Sequence, residues 1–99
     1  MPKYVQIIEF ETDKIDEVTK LDEEWRKATE GKRTAEHVLV CEDRDKAGRY
    51  VIIVEFPSAD AAEKNNALPE TQKFAEAQMK LAKGPAKFTN LDVVREDNG

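Results

Sequence analysis

The residue type and position that most invite chemistry belong to Asn65. It lies three and four positions beyond Ala62 and Ala61, so on a helix it shares their side, the side of small inward groups. A buried amide without hydrogen bonds costs about 1–3 kcal/mol, so an inward Asn needs a partner. Two partners are open to it: backbone carbonyls freed where Pro69 interrupts the helix, or a ligand. His37 is the only histidine. It titrates near neutrality when unperturbed, which makes it the candidate general base if it lines a cavity, and a hydrogen-bonded surface group if it does not. Cys41 stands two residues away. Zinc would need two further ligands, and no activating arrangement is visible, so Cys41 reads as a half-buried, inert thiol. Glu9 and Glu55 hold equivalent places in two copies of one motif. If the copies lie level on adjacent strands, the carboxylates are about 5 Å apart. That is close enough to raise one pKa and form an acid–base pair; two solvated or lysine-paired strand-end carboxylates are the plainer reading.

The motif that carries the glutamates organises the chain. Tyr4-Val5-Gln6-Ile7-Ile8-Glu9-Phe10 returns as Tyr50-Val51-Ile52-Ile53-Val54-Glu55-Phe56, and a hydroxyl residue able to cap a helix follows each Phe by two, Thr12 and Ser58. The plan of strand then helix therefore occurs twice. Residues 3–11 read as a strand with Tyr4, Ile8 and Phe10 on one face and Val5 and Ile7 on the other. Thr12 or Asp13 caps a helix to about Glu30, whose Ile15, Val18, Leu21, Trp25 and Ala28 form one apolar stripe. Its opposite side offers Asp22 to Arg26 and Glu23 to Lys27 as i,i+4 pairs. Gly31 ends it. Residues 33–42 form a second strand, with Val38 and Val40 on one face and His37, Leu39 and Cys41 on the other. The polar turn from Asp43 to Gly48 leads back into the third strand, 49–56. Ser58 opens a second helical region, which Pro69 divides into 58–66 and 69–82, with Phe74, Ala77 and Leu81 inward. Gly84-Pro85 stops it, 86–95 form the last strand, and 96–99 are a flexible tail.

The order βαββαβ predicts a ferredoxin-like α+β domain: a four-stranded antiparallel sheet with two helices on one face, in a single domain over residues 1–99. Right-handed crossovers put the first and third strands at the centre. The other sheet face also carries apolar groups, so a second copy of the chain is the economical cover.

Totals exclude several classes. Net charge is −5, the wrong sign for a nucleic-acid partner. The alternating aromatics of an RNA-recognition motif do not follow Gly48-Arg49-Tyr50 either. The longest apolar run, Tyr50 to Val54, is too short to cross a bilayer. Met1-Pro2-Lys3 leads straight into a strand, which predicts no signal peptide, and one cysteine allows no internal disulfide. The expected location is the cytoplasm.

The run Phe56-Pro57-Ser58-Ala59-Asp60-Ala61-Ala62-Glu63-Lys64-Asn65, continuing to Pro69 and Phe74, resembles the helical motif of the antibiotic biosynthesis monooxygenase superfamily. The resemblance implies a dimeric α+β barrel with cavities between sheet and helices. Some members oxidise phenolic polyketides with O₂ and neither metal nor flavin; others cleave haem; many have no assigned activity. Asn65 falls where members place a polar cavity His or Asn, and Phe56 where many carry Trp. Phe74 replaces a possible Tyr, so the polyketide-oxidising set is incomplete, and no His stands on the second helix to ligate haem. The combined expectation is a cofactor-free, metal-free homodimer that holds a small apolar or aromatic ligand. Asn65 and His37 are its candidate catalytic residues, and Trp25, Tyr50, Phe56 and Phe74 its candidate substrate-binding residues. Trp25 reads first as a core anchor between helix and sheet. The other class is a non-catalytic binding or stress-type protein of the same fold.

Overall fold

The computed structural model describes residues 2–99. Along the chain run β1 (Tyr4–Glu11), α1 (Ile15–Ala28), β2 (His37–Glu42), β3 (Arg49–Phe56), α2 (Ala59–Ala67), α3 (Pro69–Leu81) and β4 (Lys87–Asp92). The strands make one antiparallel sheet in the order β2-β3-β1-β4. The two motif-bearing strands are therefore central, as the crossover argument requires.

The copies of the motif run in opposite directions. Tyr4 faces Phe56 and Phe10 faces Tyr50, so an aromatic pair closes each end of the central ladder, with centroids 6.2 and 6.0 Å apart. Glu9 consequently lies across from Val51, and Glu55 from Val5. A glutamate pair does not form, in line with the plainer reading of two separate strand-end carboxylates. Glu9 is bonded to Arg49 and lies near Lys87, whereas Glu55 is bonded to His37 at the other end of the sheet.

Helix boundaries follow local chemistry. Ser58 caps α2, its Oγ accepting from the Ala61 N–H at 3.1 Å. Leu68 is extended (φ −62°, ψ 132°), as a residue before proline prefers, and Pro69 opens α3. Thr12 departs from its expected capping role: α1 starts at Ile15 behind Lys14, with no side-chain cap. Thr12 is buried instead, and ties three segments together. Its N–H donates to Gly48 O, its Oγ1 donates to Leu81 O at 2.6 Å, and the same Oγ1 accepts from the Lys14 N–H. β2 begins at His37, four residues later than predicted, because Thr34 turns to α2. There its N–H meets Asn65 and its Oγ1 donates to Ala61 O at 2.5 Å. β4 ends at Asp92, ahead of Val93 and Val94.

All helices pack on the sheet face that carries Phe10 and Ile52, where the core forms with Val18 of α1. The opposite face presents Val5, Ile7, Leu39, Val51, Ile53 and Leu91, placed together by the strand register. Leu39 and Leu91 there keep 44% and 43% of their surface exposed. Cys41 lies on this face too and is exposed, not half-buried as its pattern suggests, because β2 is an edge strand and nothing in the described residues covers it.

Candidate functional site

The helices do not close completely on the sheet. Between them lies a cavity of about 240 Å³. Its floor is the Ile8, Ile52, Val54 and Phe56 row of the sheet, and α1 and α3 form its walls. Met79 and Phe88, two apolar residues that are themselves about half exposed, also border it.

The aromatic wall is fixed in place. Trp25 comes from the apolar stripe of α1, and its Nε1–H donates to Thr71 Oγ1 of α3 at 2.9 Å. Phe74, one turn further along α3, packs on the indole with centroids 5.8 Å apart. The Arg33 guanidinium sits 5.4 Å from the indole centroid, within reach of a cation–π attraction. Phe56, 1% exposed, backs the floor. The walls therefore keep their shape without a ligand, which lowers the ordering cost of binding.

Few polar groups face this space. Asn65 is 3% exposed. Its Oδ1 accepts from the Thr34 N–H at 3.4 Å, and among the described residues nothing accepts from its Nδ2. It does not bond to carbonyls freed at the proline; there the Leu68 N–H reaches the Asn65 backbone oxygen instead. Gln78 of α3 is 8% exposed, and its Nε2 is sealed from solvent with no partner among the described residues. Such a donor costs about 1–3 kcal/mol when left unmet. Asp22 joins them from α1, and Gln6, Asn66, Thr71 and Gln72 also border the space. Burial raises the Asp22 carboxyl above the usual carboxylate range, and Arg26 and Arg33 offset part of that rise. Asp22 makes no ion pair with Arg26, nor Glu23 with Lys27, among the described residues. It stands three residues before Trp25 and four after Val18, so it shares the inward side of the helix rather than the charged one.

Of the residues singled out in the sequence, Asn65, Trp25, Phe56 and Phe74 converge on this cavity. Tyr50 does not reach it. It packs on Phe10 at the far end of the core, and burial, with Glu42 nearby, raises its phenol above the ordinary value. His37 lies on the outer sheet face, away from the cavity, with Nδ1 2.8 Å from Glu55 Oε2 and most of its side chain exposed. The parity of β2 decides this: Val38 points to the cavity, so its neighbour points away. Among the described residues no three His, Cys, Asp or Glu side chains gather as metal ligands would.

No family model matches the chain, and no curated protein matches its sequence. Solved structures do match its fold. SnoaB, a cofactor-independent oxygenase from Streptomyces nogalater, superposes with a TM-score of 0.79 at 16% identity, over 98% of this chain and 97% of its own. A provisionally named antibiotic biosynthesis monooxygenase from Caulobacter crescentus gives 0.81 at 13% identity, over 95% and 92%. A third, also provisionally named, from Deinococcus radiodurans gives 0.77 at 18% identity, over 96% of both chains. The chain has the antibiotic biosynthesis monooxygenase fold.

Within the antibiotic biosynthesis monooxygenase fold, this chain's cavity adds Gln78 and Asp22 to the residues the sequence pointed to. Both carry a signal in retrospect. Each is a polar residue at a helical spacing that otherwise selects apolar ones: Gln78 is four past Phe74, and Asp22 is four past Val18.

Proposed function

We propose that the protein binds a small, mainly apolar aromatic molecule in this cavity, and oxidises a phenolic or quinol-like substrate there with O₂. One observation carries the proposal. The cavity joins rigid aromatic walls to a few inward polar groups, two of which, Asn65 and Gln78, have unengaged amide donors. That is the make-up of a small-ligand site, and its volume suits one or two fused rings, below the ~300–1,000 Å³ of drug-sized pockets. The shared fold with a cofactor-independent oxygenase supports the oxidative half of the reading.

Such a reaction needs little from the protein besides position and a base. When an activated ring methylene becomes a carbonyl, one oxygen atom of O₂ enters the substrate and the other leaves as water with the two methylene hydrogens. The substrate supplies every electron, so no separate reductant enters the balance. Removing the first proton makes the substrate electron-rich enough to react with O₂. Asp22 is the carboxylate that borders the cavity and takes this role, its raised pKa making it a stronger base. Asn65 holds the oxygen on which negative charge collects. His37 has no part in it.

The working unit is a homodimer in the cytoplasm. Two copies stacking through Val5, Ile7, Leu39, Val51, Ile53 and Leu91 would cover the sheet face the helices leave open. No helix among the described residues is long and apolar enough to cross a membrane.

O₂ consumption with a panel of quinols and anthrones, run beside thermal-shift binding, tests the proposal. Turnover lost in Asp22→Asn supports it. Binding without turnover leaves a non-catalytic binding protein, a reading favoured by the absence of His37 and Tyr50 from the cavity. If neither binding nor turnover is found, the assignment of the site falls.

A further inference from the structure

Gln78 is more than nine-tenths buried, borders the cavity, and carries an Nε2 that no described residue satisfies and no solvent reaches. Folded interiors leave few donors in that state, and each one calls for an explanation. Asn65 faces the same space from α2 with its acceptor oxygen already engaged by Thr34. Gln78 Nε2 is thus the sealed donor at this cavity that lacks a partner among the described residues. Nε2 is sealed as the amide stands, but the terminal torsion of a glutamine is soft and roughly two-fold, so a turn about it would bring the donor to the cavity. A carbonyl oxygen is the fitting partner. It accepts from Gln78 and brings no donor of its own, whereas a hydroxyl adds a donor that needs a second partner such as the Asp22 carboxylate.

We propose that Gln78 determines which ligand the cavity holds, its Nε2–H donating to the carbonyl oxygen of a one- or two-ring aryl ketone seated against Trp25 and Phe74. The inference rests on the cavity being a ligand site, and adds the chemical class that the site selects. A hydrocarbon of the same outline gains the apolar burial but leaves the Gln78 donor unmet.

The test uses 1-tetralone and tetralin, which differ by that one oxygen. Both are titrated into the full chain, Gln78→Met and Gln78→Leu, following the fluorescence of Trp25, the only tryptophan. The unaltered protein is expected to bind tetralone about five- to tenfold more tightly than tetralin, the worth of one neutral hydrogen bond. Both variants are expected to bind tetralin within about twofold of the unaltered protein and to lose the preference for the ketone. Their ligand-free Tm should equal or exceed that of the unaltered protein, since an unmet donor has been removed. A preference that survives in the variants, or that is absent from the start, overturns the role of Gln78 while leaving the cavity as a ligand site. A lower ligand-free Tm with an unchanged preference marks Gln78 as structural and overturns it equally. If neither compound binds, the site itself fails and this inference with it.

Discussion

If two copies stack as proposed, replacing Ile53 by lysine should dissociate the dimer and leave the subunit folded. Ile53 stands at the centre of the outer sheet face, opposite Ile7 on β1 and Leu39 on β2. In an isolated subunit that face meets water, and a lysine there keeps its ammonium solvated. Across a two-fold interface the position occurs twice. Burying one isoleucine is worth about 1.5–3 kcal/mol, so losing two removes about 3–6 kcal/mol from association. At 1.4 kcal/mol per decade, that is roughly 10²–10⁴ in the dimer Kd, and an unpaired buried ammonium adds to the loss. Sedimentation equilibrium over a micromolar concentration series reads this directly. Val40→Lys is the control. Val40 lies next along the same edge strand from Leu39 but on the helix side, and is 51% exposed, so its substitution should leave the dimer intact. Dimers of equal affinity in Ile53→Lys, or an unaltered chain that is monomeric at micromolar concentration, would refute the stacking of the outer faces.

Three further outcomes follow from the core and the cavity. Phe56→Ala removes a ring that is 1% exposed and packs against Tyr4, and should cost about 3–5 kcal/mol in urea denaturation. Asn65→Ala leaves the Thr34 N–H without its acceptor; a loss of about 1–3 kcal/mol is expected, with faster hydrogen exchange at that amide. Asp22→Asn should stabilise the protein at neutral pH. The folded-state pKa of Asp22 lies above its ordinary 3.8, so the stability its acid form contributes is complete below that value and is lost as pH rises through the folded pKa. The Tm advantage of the variant should therefore be absent at acid pH and open toward neutrality. An advantage that is flat across this range would show that ionisation of Asp22 does not oppose folding.

The fold was largely legible because its signals are redundant. Two copies of one apolar strand, each leading toward a helix, leave few arrangements once right-handed crossovers are imposed. Pro69 marks the break between α2 and α3 by stereochemistry alone. Register needed one step more. The β2–β3 connection is a hairpin, so β3 must run against β2. The crossover makes β2 parallel to β1, and β3 therefore also runs against β1. Equivalent residues of the two motifs then go to opposite ends, which separates Glu9 from Glu55 before any contact is considered. Thr12 misleads for a different reason: a hydroxyl before a helix looks like a cap, and its buried bond to Leu81 joins segments 69 residues apart, beyond any local pattern.

The site divides along the same line. His37 could not be assigned to a face by composition, because β2 has apolar residues at both parities: Val38 and Val40 on one, Leu39 and Cys41 on the other. Only pairing with β3 settles which parity meets the helices. Asp22 and Gln78 present the opposite case. Their spacing places them inward, while their polarity suggests a solvated surface, and spacing prevails because a helix cannot rotate one residue away from its neighbours. A core held together by Val18, Trp25 and Phe74 drags Asp22 and Gln78 in with it. Such residues lower stability where they stand, Gln78 by an unmet donor and Asp22 by a carboxyl pushed toward its neutral form. Local pattern and residue type conflict at these two positions, and under the proposed ligand site the bound molecule is the partner that would relieve them.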